Sequence, residues 1–169
     1  LSEQPMILVV NIDEDQLMEG DYPRKDDLYK FSQETSTPLI EVCAKTEQEI
    51  SQLDEEDRKL FMEELGIEET GLDKLARTAY DLLGLISFLT SGEDEVRAWP
   101  IKKGITAKKA AGKIHSDIEK GFIRAEVLRF KDLKEYGSRQ KAKEKGLVTL
   151  EGKDYIVQDG DIINFRFNV

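Results

Sequence analysis

Two short stretches hold the side chains best suited to gripping a ligand. Asn11-Ile12-Asp13-Glu14-Asp15 closes the nearly unbroken apolar run from Pro5 to Val10. In open α/β sheets, ligands sit in the loop at the carboxyl end of such a strand. On its residues alone the string also reads as a polar turn that ends a strand. A second apolar run, Pro38 to Val42, ends in Cys43-Ala44-Lys45. No base lies near Cys43 in sequence to activate it, and a cysteine at a strand end commonly serves as a small buried hydrophobe. Further along, Lys102, Lys103, Lys108, Lys109 and Lys113 surround one helix start, where free backbone N–H groups favour an anion. Arg97 and Trp99, close by in sequence, add a cation and a stacking ring, the ingredients of an RNA surface. A solvated helix face is the other reading of those lysines. His115, the only histidine, either contacts a partner or acts structurally, bonding a carbonyl or capping a turn. Asp54 and Asp57 belong to an acidic run from Glu47 to Glu69 that reads as a solvated face, since no partner ligand stands near them.

The elements that must position these groups follow from periodicity. The two apolar runs predict strands buried on both faces of a parallel sheet. Between them, Tyr22 to Gln33 predicts a crossover helix with Leu28 and Phe31 turned inward. Thr46 to Leu65 predicts an acidic helix opening with a capping box of Thr46 and Glu49, restarted by a cap at Asp54 and ended by Gly66. Its apolar stripe is Leu53, Leu60, Phe61 and Leu65. Leu72 to Leu83 is amphipathic, with Leu72, Leu75, Ala76, Ala79, Leu82 and Leu83 on one face and Gly84 as its terminator. After that glycine, Leu85 to Thr90 and Glu95 to Ile101 predict two strands joined by the turn Ser91 to Asp94. Thr106 should cap a helix whose inner positions are Ala107, Ala110, Ala111, Ile114 and Ile118. Strands are expected at Ile123 to Phe130, Leu147 to Leu150, Asp154 to Val157 and Ile162 to Val169, with a charged helical stretch near Lys131 to Lys145. Asp159-Gly160 suits a tight hairpin turn. In the last strand Ile163, Phe165, Phe167 and Val169 share one face and polar residues the other. The fold class is therefore α+β: residues 1–83 as part of an α/β domain with added helices, then residues 84–169 as a β-grasp domain.

Charge separates the halves as well. Residues 1–83 carry 8 basic and 22 acidic side chains, residues 84–169 carry 17 and 13, and the chain of 169 residues has a net charge of −10. The second half is thus the one suited to an anionic partner such as RNA. One cysteine and one histidine rule out an internal disulfide and a Cys/His zinc site. No signal peptide or membrane-spanning run is visible, so the cytoplasm is the expected location. The chain begins at Leu1, and it reads as a piece of something longer.

The residues also carry a family resemblance. Glu95 to Trp99, Lys103 to Ala107, Ala110 to His115, Lys120 to Val127, and Glu151 through Asp161 to Val169 resemble the TGS domain that ends the YchF/Obg-like ATPases. The first half is similar to the end of that family's nucleotide-binding domain, including an Asn-x-x-Glu segment at Asn11 to Glu14. The resemblance implies a ribosome-associated P-loop NTPase that uses ATP, or GTP, with Mg2+. Asn11, Ile12 and Glu14 would contact the purine, and Cys43-Ala44 would stand where GTPases place Ser-Ala to meet the base. It further implies a partner surface for the ribosome or its RNA, or for tRNA, made of Arg97, Trp99, Lys102, Lys103, Lys108, Lys109, Lys113 and His115. GTPases carry Asn-Lys-x-Asp at this strand end. Here Ile12 replaces the lysine, and the extra methylene of Glu14 moves the carboxylate away from the place that reads guanine, which favours adenine or relaxed selectivity. A phosphate loop needs Gly-x-x-x-x-Gly-Lys-Ser/Thr, whereas Gly66-Ile67-Glu68-Glu69-Thr70-Gly71 continues into Leu72-Asp73. This chain by itself is therefore expected neither to retain a nucleotide nor to hydrolyse one. An unpaired sheet edge in the first half could pair two copies. A reading from a different class is a standalone regulatory or RNA-binding module without a nucleotide site.

Overall fold

The first apolar run becomes a strand, β1 (Leu8–Asn11), and the second becomes β2 (Leu39–Val42). The two pair in parallel, Leu8 opposite Leu39 and Asn11 opposite Val42, so both polar segments leave the sheet at the same end. The computed structural model describes residues 4–92 and 95–168, which divide into two units, Leu1–Leu83 and Gly84–Val169.

In the first unit α1 (Glu14–Glu19) and α2 (Lys25–Thr35) connect the strands, and α3 (Ala44–Gln52), α4 (Glu55–Glu64) and α5 (Gly71–Leu82) follow. Its core cluster is small: Ile12, Tyr22 and Cys43, backed by Val10, Leu17 and Leu28. Several expectations fail here for one reason: few elements among the described residues cover the sheet and helices. Val9 is half exposed, so β1 is not buried on both faces. Phe31 points outward although Leu28 packs as expected. Leu60 is exposed, and so are Leu72, Leu75 and Leu83 of the amphipathic stripe on and just after α5. The capping box expected at Thr46 is absent. α3 starts earlier, with Cys43 in the N-cap position, and buried Thr46 donates its hydroxyl to Cys43 Sγ at 3.1 Å. A capping box stands instead at Asp13 and Gln16, opening α1. Asp54 does cap α4, accepting from the backbone N–H groups of Glu56 and Asp57.

The second unit contains β3 (Leu85–Ser91), β4 (Val96–Lys102), α6 (Ala107–Ile114), α7 (Ser116–Lys120), β5 (Phe122–Arg129), α8 (Phe130–Tyr136), α9 (Arg139–Glu144), β6 (Thr149–Glu151) and β7 (Asp161–Phe167). They build a mixed five-stranded sheet in the order β4-β3-β7-β5-β6. The last strand lies at its centre, parallel to β3 and antiparallel to β5. Ala107, Ala110 and Ala111 of α6 are fully buried against Phe88, Ile101, Val127, Ile163 and Phe165. The small alanines let the helix approach the sheet closely, so that the large strand side chains fill the space between.

On the other side of the sheet α8 and α9 contribute to a second cluster around Leu128, Ala142 and Ile162. The start of β7 is thereby buried on both faces, while Phe167 is partly exposed, and the expected one-sided strand is corrected at both ends. Val169 lies outside the described residues, as do Glu93 and Asp94 of the turn joining β3 to β4. The helical stretch expected near Lys131 to Lys145 breaks at Gly137, which takes a φ of 72°, and Ser138 caps the restart. Asp154 to Val157 is not a strand. It makes one isolated bridge, Ile156 with Thr106, and its Tyr155 carbonyl is taken by the Ala107 N–H at the start of α6. Gly160 has the positive φ of 74° expected for a turn, but the turn joins no hairpin, since no strand precedes it. Asp159 instead accepts the Ser87 N–H at 2.8 Å and ties the turn to β3. No helix among the described residues is long and apolar enough to cross a membrane.

Candidate functional site

The polar ends of β1 and β2 meet at a cleft of about 470 Å³ lined by Asn11, Ile12, Asp13, Glu14, Gln16, Cys43 and Lys45. Parallel pairing brings them together, with the Ile12 N–H donating to Val42 O at 3.0 Å. The side chain of Asn11 joins the two loops: its Oδ1 accepts the Ala44 N–H at 3.1 Å. That bond fixes the amide orientation and leaves the Asn11 NH2 group as the donor available to a ligand. Glu14 heads α1 and forms an ion pair with Lys45, Nζ to Oε2 at 2.7 Å. The hydrogen bond and charge of Glu14 raise the Lys45 pKa above its usual value. The site therefore presents an amide, a carboxylate and an ammonium at the mouth of a shallow, solvent-accessible cleft. Those groups suit the donor and acceptor edge of a planar polar ring.

Two of the residues proposed from sequence take a different role. Ile12 and Cys43 are buried in the core cluster beneath the loops. The Ile12 side chain cannot lie on a ring as a lysine stem would; it anchors the loop from below. Ala44 contributes its backbone N–H, already donated to Asn11. Two further participants were missed in the sequence reading. Lys45 crosses to Glu14 from the neighbouring loop, a pairing invisible until the strands are placed side by side. Gln16 is committed to the capping box with Asp13, its Oε1 accepting the Asp13 N–H, and the Asp13-x-x-Gln16 spacing was the available signal. Among the described residues no group of three or more His, Cys, Asp or Glu side chains could hold a metal ion.

The basic set of the second unit does not form one patch. Arg97 and Trp99 lie on β4, on the α6 side of the sheet. The Arg97 guanidinium stacks on the Trp99 ring at 4.3 Å, and Trp99 Nε1 donates to Thr90 Oγ1 at 2.9 Å. With Phe88 and the core on its inner side, Trp99 has its stacking surface largely occupied. Lys102, one residue past inward-facing Ile101, alternates to the other side. Lys103, Lys108, Lys109 and Lys113 are exposed.

The expected anion seat at the start of α6 is filled by the chain itself. Ala107 N–H donates to Tyr155 O at 2.7 Å and Lys108 N–H to Lys153 O at 3.4 Å. Thr106 occupies the N-cap position without a side-chain bond. His115 Nδ1 accepts the Asp117 N–H at 3.2 Å and caps α7, while most of its side chain stays exposed.

With this geometry in view, residues 85–168 match the family model YchF-GTPase_C, described as a protein of unknown function (DUF933). The whole chain is 48% identical to the ribosome-binding ATPase YchF of Bacillus subtilis (strain 168), covering 46% of that protein. It is 46% identical to the protein of the same description from Escherichia coli O157:H7, again covering 46% of it. The chain therefore spans about half the length of these curated relatives. The solved structure of the Schizosaccharomyces pombe YchF GTPase superposes with a TM-score of 0.82 at 32% identity, over 96% of this chain and 43% of that one.

Proposed function

The chain belongs to the YchF family, and from that premise we propose that its first unit holds the purine of ATP, or of GTP, while its second unit contacts the ribosome. One observation carries the first part: the Asn11 side chain clamps the β2 loop through Ala44, fixing the two loops whose polar groups line the cleft. In this reading Asn11 donates to the ring, Glu14 accepts from it, and Lys45 neutralises the carboxylate. Ile12 and Cys43 hold the loops in place from the core. Because Glu14 is drawn toward Lys45, it stands less free to accept both N–H groups of guanine, and ATP is the favoured nucleotide. Magnesium and the phosphates belong on a phosphate loop, which this sequence does not contain, so the 169 residues alone are not expected to hydrolyse nucleotide.

For the second unit we read a TGS domain of the β-grasp type. Counted within the unit, its strand order of 2-1-5-3-4 with α6 packed across one face supports this reading. Its excess of basic side chains suits ribosomal RNA, and the cytoplasm is the compartment that follows. The base reading is tested on the full-length protein by titrating ATP and GTP. ATP should bind at least as tightly as GTP, and Asn11→Ala should weaken nucleotide binding about tenfold, roughly 1.4 kcal/mol. Clearly tighter binding of GTP, or an indifferent Asn11→Ala, would sink the base reading.

A further inference from the structure

Glu14 and Lys45 reach the mouth of the cleft from different loops and meet there at 2.7 Å, Nζ to Oε2. The contact decides what each group has left to offer. Glu14 gives Oε2 to the ammonium, and its Oε1 takes no hydrogen bond among the described residues. Lys45 has three N–H donors and spends one on the carboxylate. Both side chains stay open to solvent, Lys45 at 67% and Glu14 at 42% exposure, so a ligand can reach the free acceptor and the free donors together. An exposed ion pair adds little to the stability of a fold, and this one joins loops that the Asn11 bond to Ala44 already fixes. Folding therefore gives no reason for placing it at the mouth of a cleft of about 470 Å³.

An acceptor beside a donor is the complement of one purine edge. Adenine carries a 6-amino donor next to the bare ring nitrogen N1, so Glu14 Oε1 can accept from the amino group while Lys45 Nζ donates to N1. Guanine sets two adjacent donors, N1–H and the 2-amino group, against the same pair. A lone carboxylate could take both with its two oxygens. Here Oε2 is held by Lys45, and the ammonium would face an N–H, so groups left unpaired cost guanine affinity. A carboxylate covered by a ring also keeps its counter-ion here, and it is not desolvated as a lone charge. The raised pKa of Lys45, caused by the hydrogen bond and charge of Glu14, keeps that counter-ion protonated at neutral pH. We propose that Lys45 is a base-reading residue, and that the Glu14–Lys45 pair recognises a 6-aminopurine through its amino group and N1. The inference rests on the reading that this cleft holds a purine, and it adds to that reading a side-chain contact from the loop after β2.

The test titrates the full-length protein with ATP, with GTP, and with 1-deaza-ATP, which carries C–H in place of N1. The unaltered protein should bind 1-deaza-ATP about fivefold to tenfold more weakly than ATP. Lys45→Met should weaken ATP by the same factor and leave 1-deaza-ATP unchanged, so that the two bind alike. It should also raise GTP affinity relative to ATP, because both oxygens of Glu14 become free. Lys45→Arg, which keeps a cationic donor, should retain part of the preference for ATP over 1-deaza-ATP. The melting temperature of Lys45→Met should match that of the unaltered protein, since the pair is exposed. If 1-deaza-ATP binds the unaltered protein as ATP does, or if Lys45→Met weakens both nucleotides equally, Lys45 does not read the base and the proposal is overturned. Asn11→Ala then decides on the cleft itself: weakened ATP binding keeps the purine reading without Lys45, and unchanged binding removes both.

Discussion

At the scale of single residues, Glu126 is the group whose titration the fold most clearly uses. Its burial alone would raise the carboxyl pKa, but Arg166 and Arg139 outweigh burial and hold it below the ordinary value of 4.5. A carboxylate with a depressed folded-state pKa contributes stability that is complete above the unfolded value and is lost as pH falls through the folded one. The melting temperature should therefore decline as pH drops below about 4.5, and less steeply in Glu126→Gln than in the unaltered chain. Parallel curves for the two would remove Glu126 as the cause. Side-chain identity was readable at the cleft between the β1 and β2 loops, where Asn11 and Glu14 occupy the strand end that the apolar run foretold. The roles of Ile12 and Cys43 were not, because whether a strand-end side chain faces ligand or core depends on what packs beneath it. The Lys45–Glu14 pair was equally hidden, since it joins two loops brought side by side only in the folded sheet.

At the scale of elements, α7 and β7 are held together by a glycine. Gly121 follows α7, and a Cβ there would fall 1.9 Å from the backbone oxygen of Asn168, while the Asn168 N–H donates to Gly121 O at 2.9 Å. Backbone cannot step aside without breaking the end of the sheet. Gly121→Ala should cost about 1–3 kcal/mol in urea unfolding. Gly112→Ala, whose new methyl would meet chiefly the movable carboxylate of Glu119, should cost far less, aided by the better helix propensity of alanine. Equal losses in the two variants would contradict this account. Long periodic elements such as α5, α6 and β3 to β5 were legible because their apolar spacing is unambiguous. Asp154 to Val157 misled because a short run with strand-like residues is also suited to a segment whose carbonyls cap another helix. Thr46 misled because a capping residue and a buried helical threonine share the same local sequence.

At the scale of the whole chain, the two units differ in how much they bury. The second has a cluster of ten buried side chains around α6, whereas the first has a cluster of three under its two-stranded sheet. Isolated two-stranded sheets are marginal in water. Amide hydrogen exchange should report slow, near-global opening for β5 and β7 and much faster exchange for β1 and β2. Comparable protection in both sheets would show that the first unit is better supported than its own core implies. The change of charge between the halves and the glycine after α5 made the division visible in sequence, but the exposed side of α5 did not follow from its periodicity, which specifies a face and not its cover. The position of β7 adds a temporal requirement. The middle strand of the second sheet is the last one to leave a translating ribosome, so β3 with β4 and β5 with β6 must wait as separate pieces, with Phe88 and Val127 lacking their shared neighbours Ile163 and Phe165. A nascent chain of this kind closes its sheet only once Asp161–Phe167 has emerged, and any truncation that removes β7 would cost the unit its centre.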